Sequence, residues 1–243
     1  MTASTPWGGK VFYKPSTTST MDDARELEDR GEPDGSVAWT AFQTAGQGRH
    51  PGRVWQAAPG SSLLCTVYWH PRRFRHPEFA PSLTVGLGLC LWLEGLLPEP
   101  SSIRLKWPND VYWNDRKLAG ILVRQRWSAA GPGAIHAGIG TNLLPPKETD
   151  GLRTSPCSMV EAGVRVAPEA ALETLLVALA RALDVDDPRT ACEQRLWRRG
   201  QEMELSVPGT DGGPRTGMVR GLDPEGRLVW DGPSGRESIS SGE

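Results

Sequence analysis

Lys106, Asn109, Asp110 and Lys117 lie in one short segment that reads Lys-Trp-Pro-Asn-Asp-Val-Tyr-Trp-Asn-Asp-Arg-Lys-Leu-Ala-Gly-Ile-Leu over residues 106–122. Two cations, an amide and a carboxylate suit a polyanionic substrate, and Gly120 removes side-chain bulk where a ligand would approach the backbone. A second run, residues 43–55, sets Gly46, Gly48 and Gly52 beside Arg49 and Arg53, giving a backbone free to wrap a ligand and fixed positive charge to hold it. Two further motifs stand out, the pair Ser19-Thr20 and the run Gly138-Ile-Gly-Thr-Asn142. Each has a plain structural reading as well: a self-capping turn at 107–110, a solvated loop at 43–55, a helix cap at Ser19, a buried Trp55 and a turn-forming Asn142. His50, His70, His76 and His136 lack metal-site spacing, and no Ser or Cys sits in a recognisable nucleophile context. Arg72 to His76 reads as a solvated loop, and Gly86-x-Gly88 lies in an apolar helix pattern without a dinucleotide-binding context.

The elements that must position these residues follow from periodicity. Ser19 or Thr20 caps a short helix with Met21, Ala24 and Leu27 at helical spacing, Asp22 and Asp23 in its first turn and Gly31 at its end. Residues 36–42 and 62–69 read as strands on either side of the glycine loop. Residues 79–97 are almost all apolar or small, the pattern of a helix buried on most sides. Strand-like segments follow at 102–107, 111–113, 117–124 and 134–140, with Asn114-Asp115 as a hairpin turn. Pro168 opens a helix to Leu183 whose leucines share one face and are expected to pack on the sheet. Short strand-like runs broken by Gly, Pro and Asp occupy 202–240. The expected fold is α/β of the α+β type, a mixed or antiparallel sheet packed with helices over residues 1–199, followed by a small β-barrel-like domain over 200–243.

The 243 residues, 38% hydrophobic, suffice for one sizeable core plus an appendage. A net charge of -2 and a pI near 6.1 give no global basic field, which argues against nucleic-acid binding driven by charge alone. Cys65, Cys90, Cys157 and Cys192 form no paired motif and read as reduced core thiols. The first residues lack a signal-like apolar stretch, and no run has membrane-spanning length, so no membrane partner and a cytoplasmic address are expected.

In order and spacing the four motifs resemble the biotin protein ligase family, whose catalytic core would cover about residues 10–195 and whose small SH3-like β-domain would follow. The resemblance implies an ATP-dependent ligase with biotin and ATP as substrates, Mg²⁺ as the accompanying cation, and the biotin carboxyl carrier protein of acetyl-CoA carboxylase or a related carboxylase as partner. It implies biotin contacts from Ser19, Thr20, Met21, Gln43, Gln47, Gly48, Arg49, Lys117 and Gly120, with Lys117 and Arg49 in the catalytic role. Arg53, Trp55, Lys106, Asn109, Asp110 and Asn142 would serve ATP or the adenylate. The accepting lysine belongs to the carrier, so the enzyme needs no nucleophile of its own.

Four departures stand out: Gln47 where many members carry a loop arginine, Pro51 as an apparent insertion, Arg124 in place of a glutamate at the end of a strand, and a chain end at Gly242-Glu243 where a nucleotide contact from the tail would be missing. Few residues precede Ser19, so a helix-turn-helix is not expected, whereas an exposed sheet edge could pair two subunits in a homodimer. A lipoate or octanoate transferase of the same fold, or a non-catalytic biotin-binding protein, are the alternatives.

Overall fold

A computed structural model describes residues 4–50, 52–128, 131–147, 154–206 and 213–242. Pro51 and Glu243 lie outside the described residues, so the expectation for an inserted Pro51 is not addressed. In chain order the elements are β1 (Val11–Lys14), α1 (Thr20–Asp29), β2 (Val37–Thr40), β3 (Ser62–Trp69), α2 (Pro81–Glu94), β4 (Ile103–Lys106), β5 (Asp110–Trp113), β6 (Arg116–Ser128) and β7 (Gly131–Asn142). There follow α3 (Pro168–Leu183), α4 (Pro188–Glu193), β8 (Glu202–Leu205), β9 (Arg215–Leu222), β10 (Leu228–Gly232) and β11 (Gly235–Ile239).

The first seven strands form one mixed sheet in the order β1-β2-β3-β7-β6-β5-β4. Only β1 and β2 run parallel, because α1 supplies the crossover that a parallel pair needs. The remaining neighbours are antiparallel, and Asn114 and Asp115, with φ of 46° and 60°, turn β5 into β6 as the asparagine-aspartate pair predicts. Sequence periodicity missed the edge strand β1 and the six-residue α4, both too short to show a pattern.

Helix α2 lies on one face of the sheet, and its apolar sequence is explained by neighbours on both sides. A methyl group at Gly86 would come 2.5 Å from Leu105 of β4, and one at Gly88 would come 2.7 Å from Leu179 of α3. The two glycines therefore let α2 approach the sheet on one side and α3 on the other. Helix α3 leans chiefly on α2 and reaches the sheet at β3, so the expectation that it packs on the sheet holds for its minor contact.

Helix α1 covers the opposite face, where Ala24 and Leu27 pack with Ala38, Tyr68 and Ala134. The last four strands form a second, antiparallel sheet in the order β11-β10-β9-β8, which curls so that Gly242 lies against Leu205. This sheet is docked by backbone and side-chain bonds: Ala80 donates to the Glu225 carbonyl (3.1 Å), and the Trp107 indole donates to the Gly226 carbonyl (3.1 Å). Its buried Val219, Leu228 and Trp230 belong to the same apolar cluster as the main core.

Candidate functional site

The site lies on the α1 side of the large sheet and begins with glycines placed by register. Cross-strand partners share a face. Leu64 of β3, Gly140 of β7, Gly120 of β6 and Asp110 of β5 form one row across four strands, and Thr66, Gly138 and Leu122 form the next. Glycine at 120, 138 and 140 thus leaves a depression in the middle of the sheet, with a carboxylate at one end and a hydroxyl at the other.

The Trp55 indole from the glycine loop lies over this depression. A methyl at Gly140 would come 2.6 Å from its ring, and one at Gly120 would come 2.9 Å from it. Two cavities result. The smaller, about 90 Å³, is lined at one end by Thr20, Gln47 and Thr66 and along its walls by Met21, Leu64 and Ile139. The larger, about 360 Å³, is lined by Arg53, Lys106, Asp110, Asn142 and the tail residue Gly242, among others. Gly48, Arg49, Trp55, Asn109 and Lys117 line both and form the partition.

The start of α1 shows why Ser19 and Thr20 stand together. Ser19 caps the helix, its hydroxyl accepting from the Met21 amide at 3.3 Å. The Gln43 carbonyl oxygen accepts from the Thr20 amide (2.8 Å) and hydroxyl (3.1 Å), and the Thr20 and Thr66 hydroxyls are 2.9 Å apart. Gln43 therefore holds the helix start in place as well as lining the cavity. Gln47 donates to the Asp22 carboxylate (3.2 Å), while its own Oε1 is buried without a hydrogen-bond partner. The Trp55 Nε1 is likewise buried and unpartnered. Two such atoms in one cleft point to a polar ligand that would satisfy them.

Lys117 is fixed through its backbone, donating to the Ser155 carbonyl and accepting from the Cys157 amide, both at 2.9 Å. Its Nζ lies 2.7 Å from Asp110 Oδ1 and 5.8 Å from the centre of the Trp55 ring. The 106–122 segment therefore does not divide cleanly: Asp110 and Lys117 form one ion pair at the partition. Asn109 ties down β6, its side chain donating to the Ile121 carbonyl at 2.7 Å. Lys106 sits 5.8 Å over the ring of Tyr112, whose phenol is pushed above its usual range by burial and by the neighbouring Asp110. Asn142 donates to the Cys157 carbonyl at 2.9 Å, so its amide anchors the segment after β7 while lining the larger cavity.

The glycine loop doubles back on itself, with Gln47 bridging to Val54 and the Gly48 amide donating to the Arg53 carbonyl at 2.8 Å. Arg49 donates to the Gly242 carbonyl at 2.7 Å. The tail thus reaches the larger cavity, because the docked second sheet brings the chain back from β11. Arg124 is not at a strand end either: β6 continues to Ser128, and Arg124 pairs with His136 in mid-strand. Thr66 and Leu64 line the smaller cavity and were missed by sequence reading, since strand alternation gives a face but not what that face meets.

Among the described residues no cluster of three or more His, Cys, Asp or Glu is placed to hold a metal ion. The two adjoining cavities meet at Lys117, with no serine, threonine or cysteine among the five residues they share. The chain belongs to the biotin/lipoate A/B protein ligase family, whose sequence pattern matches residues 13–142, and residues 207–243 match the biotin protein ligase C-terminal domain. It is 32% identical to the biotin--[acetyl-CoA-carboxylase] ligase of Paracoccus denitrificans over 83% of this chain and 86% of that protein. It is 30% identical to the bifunctional ligase/repressor BirA of Escherichia coli over 92% of this chain and 70% of that protein. The fold matches the biotin protein ligase from Aquifex aeolicus in complex with biotin and ATP, with a TM-score of 0.73, 23% identity and 96% of each chain covered.

Proposed function

We propose that this chain is an ATP-dependent biotin ligase. It joins biotin to ATP, giving biotinyl-5′-AMP and pyrophosphate, and then transfers the biotinyl group to a lysine of a carboxylase biotin carrier. The naming of the Paracoccus relative and the match to a biotin protein ligase C-terminal domain support biotin over lipoate as the acid. The observation that carries the reading is the pair of cavities sharing Arg49, Trp55 and Lys117 as a wall.

The smaller cavity suits biotin. Its ureido ring has two N–H donors and one carbonyl, matched by the unpartnered Gln47 Oε1 and by the hydroxyls of Thr20 and Thr66. Leu64 and Met21 suit the sulfur-containing ring and its aliphatic tail. The carboxylate then reaches Lys117 over Gly120. ATP takes the larger cavity, with Lys106 and Arg53 facing phosphate, and with Asn109, Asn142 and Trp55 holding nucleotide.

In the first half-reaction a carboxylate oxygen bonds to the α-phosphorus as the bond to pyrophosphate breaks. Lys117 and Arg49 stabilise charge on the phosphoryl oxygens. In the second, the carrier's lysine amine attacks the acyl carbon, an amide forms, AMP leaves and the amine gives up a proton. Met21 and Trp55 shield the anhydride from water. Mg²⁺ would supply charge neutralisation on the phosphates. One carboxylate, Asp110, lines the larger cavity, which fits an ion carried in with ATP rather than a preformed protein cage.

Residues 1–199 would act as the catalytic domain and 200–243 as its docked appendage. The edge of β1, unpaired among the described residues and with Tyr13 half exposed, supports a homodimer joined along that strand. No helix among the described residues is long and apolar enough to cross a membrane, and we place the enzyme in the cytoplasm. Biotin-dependent exchange of labelled pyrophosphate into ATP tests the reading. The wild-type chain should exchange, and Lys117→Ala and Arg49→Ala should each lose about 100-fold, the usual cost of removing one charge-stabilising donor. A wild-type chain without exchange would sink the ligase assignment.

A further inference from the structure

A third cavity, about 350 Å³, opens between the glycine loop and β6 and is lined by Arg49, Arg53, Val54 and Arg124 among others, with no carboxylate in its lining. It shares Gln47, Gly48 and Arg49 with the smaller cavity and Arg53 and Val54 with the larger, so it forms the rim over both. Arg124 belongs to the rim alone. It is exposed, and among the described residues its side chain makes no hydrogen bond or ion pair. Arg126, two residues along the same strand and on the same face, is by contrast held by Asp29 at 2.6 Å and Glu28 at 3.4 Å. Arg124 therefore has no counter-charge among the described residues, while Val54, which lines the same cavity, is 55% exposed.

Resting on the ligase reading, we propose that Arg124 is a specificity-determining residue for the carrier, receiving a carboxylate side chain near the lysine to be biotinylated. The two small substrates have cavities that Arg124 does not line, so the reactant left to meet this rim is the macromolecule. An unpaired guanidinium on an acid-free rim favours a carrier with an acidic side chain there and disfavours a basic one. The exposed Val54 adds apolar contact to the same footprint.

The test compares wild type, Arg124→Gln and Arg124→Glu in pyrophosphate exchange and in biotin transfer to the apo biotin carrier domain of the host's own carboxylase. Exchange should stay within twofold in both variants. For transfer, kcat/KM should fall about threefold in Arg124→Gln and about tenfold in Arg124→Glu, chiefly through KM, with a weaker dependence on salt than in wild type. Carrier variants with single acidic residues near the lysine reversed to lysine should include one that restores Arg124→Glu. Transfer by Arg124→Glu within twofold of wild type would overturn the proposal, as would a parallel fall in exchange, which would assign Arg124 to the nucleotide. Absence of exchange in wild type would remove the ligase reading and this proposal with it.

Discussion

Gly140→Ala adds one methyl group to the floor of the partition and isolates a single contact. The new carbon would lie 2.6 Å from Trp55 Cε2 and 2.8 Å from Cδ2 and Cζ2, against about 3.5–4 Å for ordinary carbon contact. Gly140 does not occupy the left-handed region of φ, so the change adds no backbone strain of its own. The indole must therefore rise by about 1 Å, and Lys117, whose Nζ lies 5.8 Å from the ring centre, shares its space. A misplacement of that size costs on the order of 100-fold when reacting groups must align, while overpacking costs about 1–3 kcal/mol of stability. Pyrophosphate exchange should fall roughly 10- to 100-fold, with thermal unfolding lowered by a few degrees. Adding Trp55→Ala should restore the stability lost in Gly140→Ala, because the ring that the methyl meets is gone, without restoring exchange. If Gly140→Ala exchanges within twofold of wild type at the same KM for biotin, Trp55 does not build the partition and the two-cavity argument fails.

Burial pushes the thiols of Cys65, Cys157 and Cys192 up to about 12, and that of Cys90 well above its usual value. Iodoacetamide at pH 8 should therefore label none of the four in the native protein and all four after unfolding, read by mass spectrometry. His136 is buried against Tyr68, with Nε2 3.2 Å from Glu28; burial lowers its pKa, Glu28 works against that, and Arg25 and Arg126 add to the lowering. A lowered imidazole gives stability that is full above the unfolded value of about 6.5 and is lost as pH falls below it. The urea midpoint should drop from pH 7.5 to pH 5.5 more in wild type than in His136→Gln. Removing residues 241–243 takes away the Gly242 carbonyl that holds Arg49, and should raise KM for ATP about tenfold with little change in the unfolding midpoint.

Local chemistry was legible in the sequence. Ser19 caps the helix it was expected to cap, Asn114-Asp115 makes the turn, and the uninterrupted apolar run at 79–97 becomes a helix covered on two sides. What could not be read is register. Gly140 faces Gly120 and Leu64 only because β7 pairs between β3 and β6, strands some 60 residues apart in the chain, and nothing local encodes that alignment. The same limit hid the tail contact at Arg49 and the Trp107 indole bond to Gly226, which joins the 106–122 segment to the second sheet. The contact between Asp110 and Lys117 was hidden for a related reason: a hairpin separates them in sequence and brings them within 2.7 Å.

That ion pair explains how one cleft can wait for two anionic substrates. The Lys117 and Asp110 side chains are 28% and 13% exposed, so leaving either charge alone beneath the Trp55 roof would be unfavourable. Paired, they neutralise each other until a carboxylate or phosphate enters. On the proposed reading the incoming anion would compete with Asp110 for Lys117, and a cation carried with the phosphates would give Asp110 a new partner. Exchange of partners at a fixed lysine costs less than opening an uncompensated charge. It also keeps the positive group at the wall that the two cavities share. The backbone bonds that pin Lys117 to residues 155 and 157 keep it there while its partners change.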